Sequence, residues 1–268
     1  MRIRIGYDLI FGVSAPTPML LMLYVHPSRD KDLETFEWLN LEPAGQVTLF
    51  FDSFGNKVGR ILAPQGDLRI RNDTIIRDTG ELDASGEGAI QHTMDQLPPE
   101  VLPYLFASRY CEVDRMADIA WQLFKDTPIG WPRVMAVQQW VHDHVEFGYE
   151  YARRNKTAYD VYVERRGVCR DFMHLAITML RALNIPARYV TGYLGDIGVP
   201  YNPAPMDFSA WFEVYLGNRW WSCDARHNAR RIGRILMATG RDATDVALTT
   251  SFGPTTLKQF LVTTEEVT

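Results

Sequence analysis

The apolar pattern of this chain changes period near residue 97, and that change limits the folds open to it. Before it come short runs of strand length: Met1–Asp8, which opens with strict alternation, Pro18–His26, Gln46–Asp52, Gly59–Pro64 and Asp67–Arg77. They are rich in β-branched and aromatic residues, and Pro16, Gly55-Asn56, Gln65-Gly66 and Gly80 punctuate them as turns. No long helical pattern separates these strands, so they are expected to form a β-sandwich rather than a parallel sheet. Gly80–Gly88 reads as a loop, and Leu97-Pro98-Pro99 through Pro103 as a linker. The expected division is a β-rich domain over 1–97 and a second domain over 98–268. The first domain shows no cluster of histidine, cysteine or paired carboxylates, so it is read as a scaffold or docking element.

After residue 110 the period becomes 3.6. Met116, Ile119, Ala120, Leu123 and Phe124 form one helical stripe, with Asp114 as its expected N-cap. Pro132 opens a second helix with Val134, Val137, Val141 and Val145 facing inward. His142 and His144 on it are two residues apart and point to different faces, which is not metal-ligand spacing. Thr157 caps a short helix that reaches Arg165. Then comes Gly167-Val168-Cys169-Arg170-Asp171-Phe172, which leads into the stripe Phe172, Leu175, Ala176, Met179, Leu180 and Leu183, ended by Asn184 and Pro186. Cys169 therefore sits at the first turn of a helix. Free backbone N–H groups and the helix dipole there are expected to lower its thiol pKa and to offer a donor to an oxyanion. A buried structural cysteine is the bland alternative.

Ala187–Leu194 reads as a strand. The best local signal follows it: Asp207–Leu216 and Arg219–Arg226 flank the two-residue turn Gly217-Asn218, a hairpin. Leu216 then opposes Arg219, Glu213 opposes Ser222, and Trp211 opposes Asp224. One face holds Phe208, Ala210, Phe212, Val214, Trp221 and Cys223, a core face. The other holds Asp207, Ser209, Trp211, Glu213, Tyr215, Trp220, Ser222 and Asp224. Its aromatic residues either line a groove or pack on a neighbouring domain. Positions 209 and 224 become diagonal neighbours, roughly 7–8 Å apart at Cα. An imidazole at 209 would reach a carboxylate at 224, but a serine is too short. Further strands are expected over Asp245–Ser251 and Thr256–Thr263.

Composition narrows the function. Lys plus Arg (28) against Asp plus Glu (33) gives a net charge of −5 with no basic block, so no nucleic-acid surface is expected. Three scattered cysteines do not make a disulfide framework and point to a reducing compartment, read as the cytoplasm. The run Met19–Val25 falls well short of the ~20 residues a membrane span needs, and the N-terminus has no signal-peptide core. No metal or cofactor set is expected. A site from Cys223, Asp224 and His227 lacks further ligands.

Together these motifs are identified as those of a family. Gly167–Phe172, Asn184-Ile185-Pro186-Ala187-Arg188-Tyr189-Val190-Thr191-Gly192-Tyr193, Asp207-Phe208 with Ala210-Trp211-Phe212-Glu213-Val214, and Trp221 with Asp224 resemble the bacterial transglutaminase-like superfamily, whose members include candidate cysteine proteases. The resemblance covers essentially the whole chain, β-rich first third included. It implies an α+β, papain-like core behind a β-sandwich. It also implies a Cys–His–Asp triad acting by acyl transfer through a thioester on a peptide or protein. Cys169 matches the nucleophile and Asp224 the residue that orients the imidazole. Ser209 stands where the family has its histidine, so the chain departs from the pattern at the general base. A hydroxyl neither accepts the thiol proton near neutral pH nor returns it to a leaving amine, a contribution worth roughly 10²–10⁴-fold. The expectation is an impaired enzyme, the alternative a non-catalytic peptide-binding pseudoenzyme. Strand alternation turns His227 to the opposite face from Asp224, and His174, part-way round its helix from Cys169, is expected to anchor a loop.

Overall fold

The computed structural model describes residues 1–267. The first third contains strands β1 (Arg2–Val13), β2 (Thr17–Leu21), β3 (Asn40–Glu42), β4 (Thr48–Phe51), β5 (Lys57–Ala63) and β6 (Gly66–Arg77). The middle contains α1 (Val113–Phe124), α2 (Trp131–His144), β7 (Glu146–Phe147), α3 (Ala158–Glu164), β8 (Arg166–Gly167) and α4 (Cys169–Ala182). The remainder contains β9 (Ala187–Tyr193), β10 (Ser209–Leu216), β11 (Arg219–Cys223), β12 (Ile235–Gly240), β13 (Thr249–Ser251) and β14 (Thr255–Val267).

Two four-stranded antiparallel sheets, ordered β14-β1-β6-β3 and β13-β2-β5-β4, make the expected sandwich. Alternation along β1 sends Ile3, Ile5, Tyr7, Leu9, Phe11 and Val13 inward against Met19, Leu21, Ile61, Leu68 and Ile70. The division at residue 97 does not follow these sheets. β14 pairs with β1 along its whole length and β13 pairs with β2, so the last strands of the chain complete the first domain. Which strand partners β1 is a long-range choice that no local pattern encodes. The same apolar core also takes in Tyr193, Phe208, Ile235 and Met237. Leu97, Val101 and Leu105 pack on Tyr215, so the expected linker is part of the packed structure.

The second unit is an α+β core in which α4 lies between sheet β11-β10-β9-β12 and helices α1, α2 and α3. Asp171 through Ala182 are all buried, so α4 is enclosed on every side rather than along one stripe. Its buried polar groups are satisfied apart from His174 Nδ1, which has no partner. Thr178 donates to the carbonyl of His174 at 2.7 Å, and Arg181 donates to the carbonyls of Ala187 and Phe106. Thr157 caps α3 by accepting from the Asp160 N–H. α1 begins without the Asp114 cap, because Glu112 holds the N-cap position. Gly192 on β9 faces Ser209 across the ladder. A Cβ there would lie 2.1 Å from the Ile235 carbonyl oxygen and 2.6 Å from the Trp211 ring. Backbone cannot yield as a flexible side chain can, so Gly192→Ala is expected to lower stability by about 2–3 kcal/mol in urea unfolding.

Candidate active site

Cys169 is the first residue of α4. The Asp171 carboxylate folds back to accept the Val168 N–H at 3.0 Å. Gly167 allows this approach, since a Cβ there would sit 2.7 Å from Asp171. The Arg170 guanidinium is held by Asp171 and by the Arg153 carbonyl, and so is directed away from the thiol. The expected low thiol pKa is not found. Burial pushes the Cys169 thiol up to about 11, against the opposing charge of Arg226 and a bond from the Arg170 backbone N–H. Desolvation by the packed surroundings outweighs the helix end here, although Cys169 is only half-buried and still borders the cleft. At neutral pH the thiol is protonated and needs a base.

The hairpin register is as expected from Leu216–Arg219 to Phe212–Cys223, where β11 stops. Ser209, the first residue of β10, pairs with Gly192 and is buried. Cys169 and Ser209 line one cleft together with Asp207, Arg226, His227 and Arg231. Asp224 lies just past the end of β11, so strand alternation no longer governs the residues after it. The chain turns there, and the Asn228 N–H donates to the Asp224 carbonyl at 2.9 Å. This turn corrects the expectation for His227: its Nδ1 lies 2.8 Å from Asp224 Oδ2, and its ring faces the cleft that holds Cys169. Asp224 thus orients an imidazole, at 227 rather than 209.

Asp224 is 2% exposed. Its Oδ1 accepts the N–H groups of Arg226 and His227, both at 3.0 Å, and its Oδ2 also accepts from Arg234 Nη2 at 2.9 Å. Burial alone would raise this carboxyl's pKa, but His227 and Arg234 hold it well below the usual carboxylate range. An ionised carboxylate only accepts, so Nδ1 of His227 carries a proton, and in the neutral ring Nε2 is the nitrogen left with a lone pair. Arg234 is fixed in turn by Asp83 at 2.8 Å, a residue of the Gly80–Gly88 loop. The first third therefore reaches the site, which its sequence did not suggest. Helix α2 holds the turn from the other side. Gln138 accepts the Asp224 N–H at 3.0 Å, its Nε2 donates to Asn228 at 2.9 Å, and His142 Nδ1 meets the Arg226 carbonyl at 3.0 Å. Asp83, Gln138, Arg226 and Arg234 all escaped the sequence reading. The only local signal was Asp224-Ala225-Arg226-His227-Asn228, a turn-prone run whose Asn228 adopts a φ of 50°.

The remaining candidates have structural roles. His174 accepts the Ala243 N–H at 3.1 Å and anchors that loop, as expected. Cys223 is buried in the apolar core. Trp211 is 2% exposed beneath Arg234, and Tyr215 packs with Leu97 and Val101, so these two aromatics are packing residues and do not line the Cys169 cleft. Among the described residues, no group of three or more His, Cys, Asp or Glu side chains is placed to hold a metal ion, and no helix is long and apolar enough to cross a membrane.

A cysteine at the tip of a central helix, set against an antiparallel sheet, defines a papain-like α+β core. Residues 118–225 match the family model of the Transglutaminase-like superfamily. A candidate cysteine protease from Cytophaga hutchinsonii, known from its crystal structure, is 29% identical and superimposes with a TM-score of 0.82 over 99% of this chain and 90% of that one. An uncharacterized protein of Mycobacterium leprae is 32% identical over 117 residues, 42% of each chain. The chain thus spans about two fifths of that curated relative.

Proposed function

We propose that this protein is a cysteine-nucleophile amidase or peptidase acting by acyl transfer through a Cys169 thioester, with His227 as its base. The observation that carries this reading is the His227–Asp224 pair on the wall of the Cys169 cleft. In this reading His227 Nε2 takes the thiol proton while sulfur bonds to the amide carbonyl carbon. The same proton passes to the departing amine as the C–N bond breaks. Water then attacks the thioester, gives its proton to His227, and releases the acid while the thiol is restored. The charge of Arg226 favours the developing thiolate, and the Cys169 backbone N–H is a donor for the oxyanion. The substrate is a peptide or protein amide. The three unpaired cysteines suit the reducing cytoplasm.

Ser209 supports the competing reading, a pseudoenzyme that binds a peptide without cutting it. Ser209→His separates the two. If His227 is the base, the parent hydrolyses generic peptide amides in an iodoacetamide-sensitive way and the variant gains nothing. If only the Ser209→His variant turns over, the base belongs at 209 and the parent is a binder. Acylation of Cys169 is read by intact-protein mass after a pulse of p-nitrophenyl acetate.

A further inference from the structure

Cys169 borders two cavities, and they differ in chemistry. One is the cleft already described, with His227, Arg226 and Arg231 on its walls. The second, about 180 Å³, lies against Ala243, Val246, Ala247 and Leu248, with Ala210, Tyr189 and Thr191 also on its walls. The two share Cys169, Asp207, Phe208 and Ser209, so the sulfur and the small side chain at 209 stand at their junction. Ala243, Ala247 and Leu248 are half-buried, which leaves aliphatic surface open at a reactive sulfur. Such surface gains by being covered. Water fills about 30 Å³ per molecule in the liquid, so this volume has room for a branched side chain of about four or five carbons.

We infer that this second cavity is the acyl pocket, and that the substrate's acyl half carries a branched aliphatic side chain. The inference rests on His227 acting as base and acid. That histidine lines the polar cleft and not the aliphatic cavity, and it must face the amine it protonates. The leaving half of the amide therefore occupies the polar side, and the acyl half is directed to the aliphatic one. Ser209 is then part of the pocket mouth. A larger residue there would narrow the passage from the sulfur. Asp207 also stands at the junction, but burial pushes its carboxyl up, which weakens it as a fixed charge against an apolar guest.

Activated esters test this without knowledge of the natural leaving group. Cys169 acylation is followed by release of p-nitrophenolate from the acetate, isovalerate and benzoate esters. Isovalerate is expected to acylate about tenfold or more faster than acetate, the discrimination typical of added carbons in an apolar pocket. Ala247→Leu fills the cavity and is expected to erase that preference, bringing the isovalerate-to-acetate rate ratio to about one. Leu248→Ala enlarges it and is expected to shift the preference toward benzoate. Equal rates for acetate and isovalerate in the parent, or an isovalerate preference that survives Ala247→Leu, would overturn the inference. If no ester acylates Cys169 at all, the nucleophile assignment itself has failed, and with it both readings.

Discussion

His227→Ala is expected to slow acylation of Cys169 by p-nitrophenyl acetate by about 10²–10⁴-fold at pH 7. The reason lies in the state of the thiol. With its pKa raised to about 11, only roughly 10⁻⁴ of the molecules carry a thiolate at neutral pH. An unaided sulfur would react at that fraction, whereas a base in the cleft removes the proton as the bond forms. The pH profile distinguishes these cases. Without His227 the rate follows the bare thiol and climbs steadily into the alkaline range. With it, the rate levels off well below that. A merely structural histidine would lower stability without changing the shape of the profile. His227 is partly exposed, and Asp224 keeps Arg234 and two backbone N–H groups when the imidazole is removed. The variant should therefore fold. An Ala variant with the parent's rate and profile would remove His227 from the reaction.

Asp224→Ala should be the most destabilising single change at the site, by about 3–5 kcal/mol in urea unfolding. The carboxylate is almost wholly buried, and four donors converge on it. Its loss leaves Arg234, 9% exposed, with Asp83 as its remaining acidic partner. It also frees the His227 ring, so acylation falls with stability. Asp224→Asn keeps the shape but loses the charge, and should recover part of the stability while the ring tautomer is no longer enforced. Acid acts on the same group. Because the folded carboxyl titrates lower than the unfolded one, its contribution is fully present above the unfolded value of about 3.9 and fades as pH falls below it. The parent should lose stability below about pH 4 more steeply than Asp224→Asn. Equal acid sensitivity of the two would show that the carboxylate is not held by these four donors.

Much of this architecture is legible in local pattern. The strands β1, β5 and β6, the capped helix α3, the cysteine at the tip of α4 and the Gly217-Asn218 hairpin all rest on short-range rules of alternation, capping and turn chemistry. Those rules act within a few residues, so a single sequence displays them. The same rules fail where a strand ends. Alternation carried past Cys223, where β11 stops, turns His227 away from its partner. The helix dipole does act on Cys169 locally, but the desolvation that outweighs it is imposed by elements far along the chain.

By itself the sequence determined the order of the elements, the core-facing residues and the position of the cysteine at a helix N-terminus, because each follows from contacts between near neighbours in the chain. Only the tertiary structure decided which histidine meets Asp224, that Asp83 in the first third steadies it through Arg234, and that the last strand closes the first sheet. Those outcomes depend on groups as far apart in the chain as Arg2 and Val267, where no periodicity records which partner is chosen.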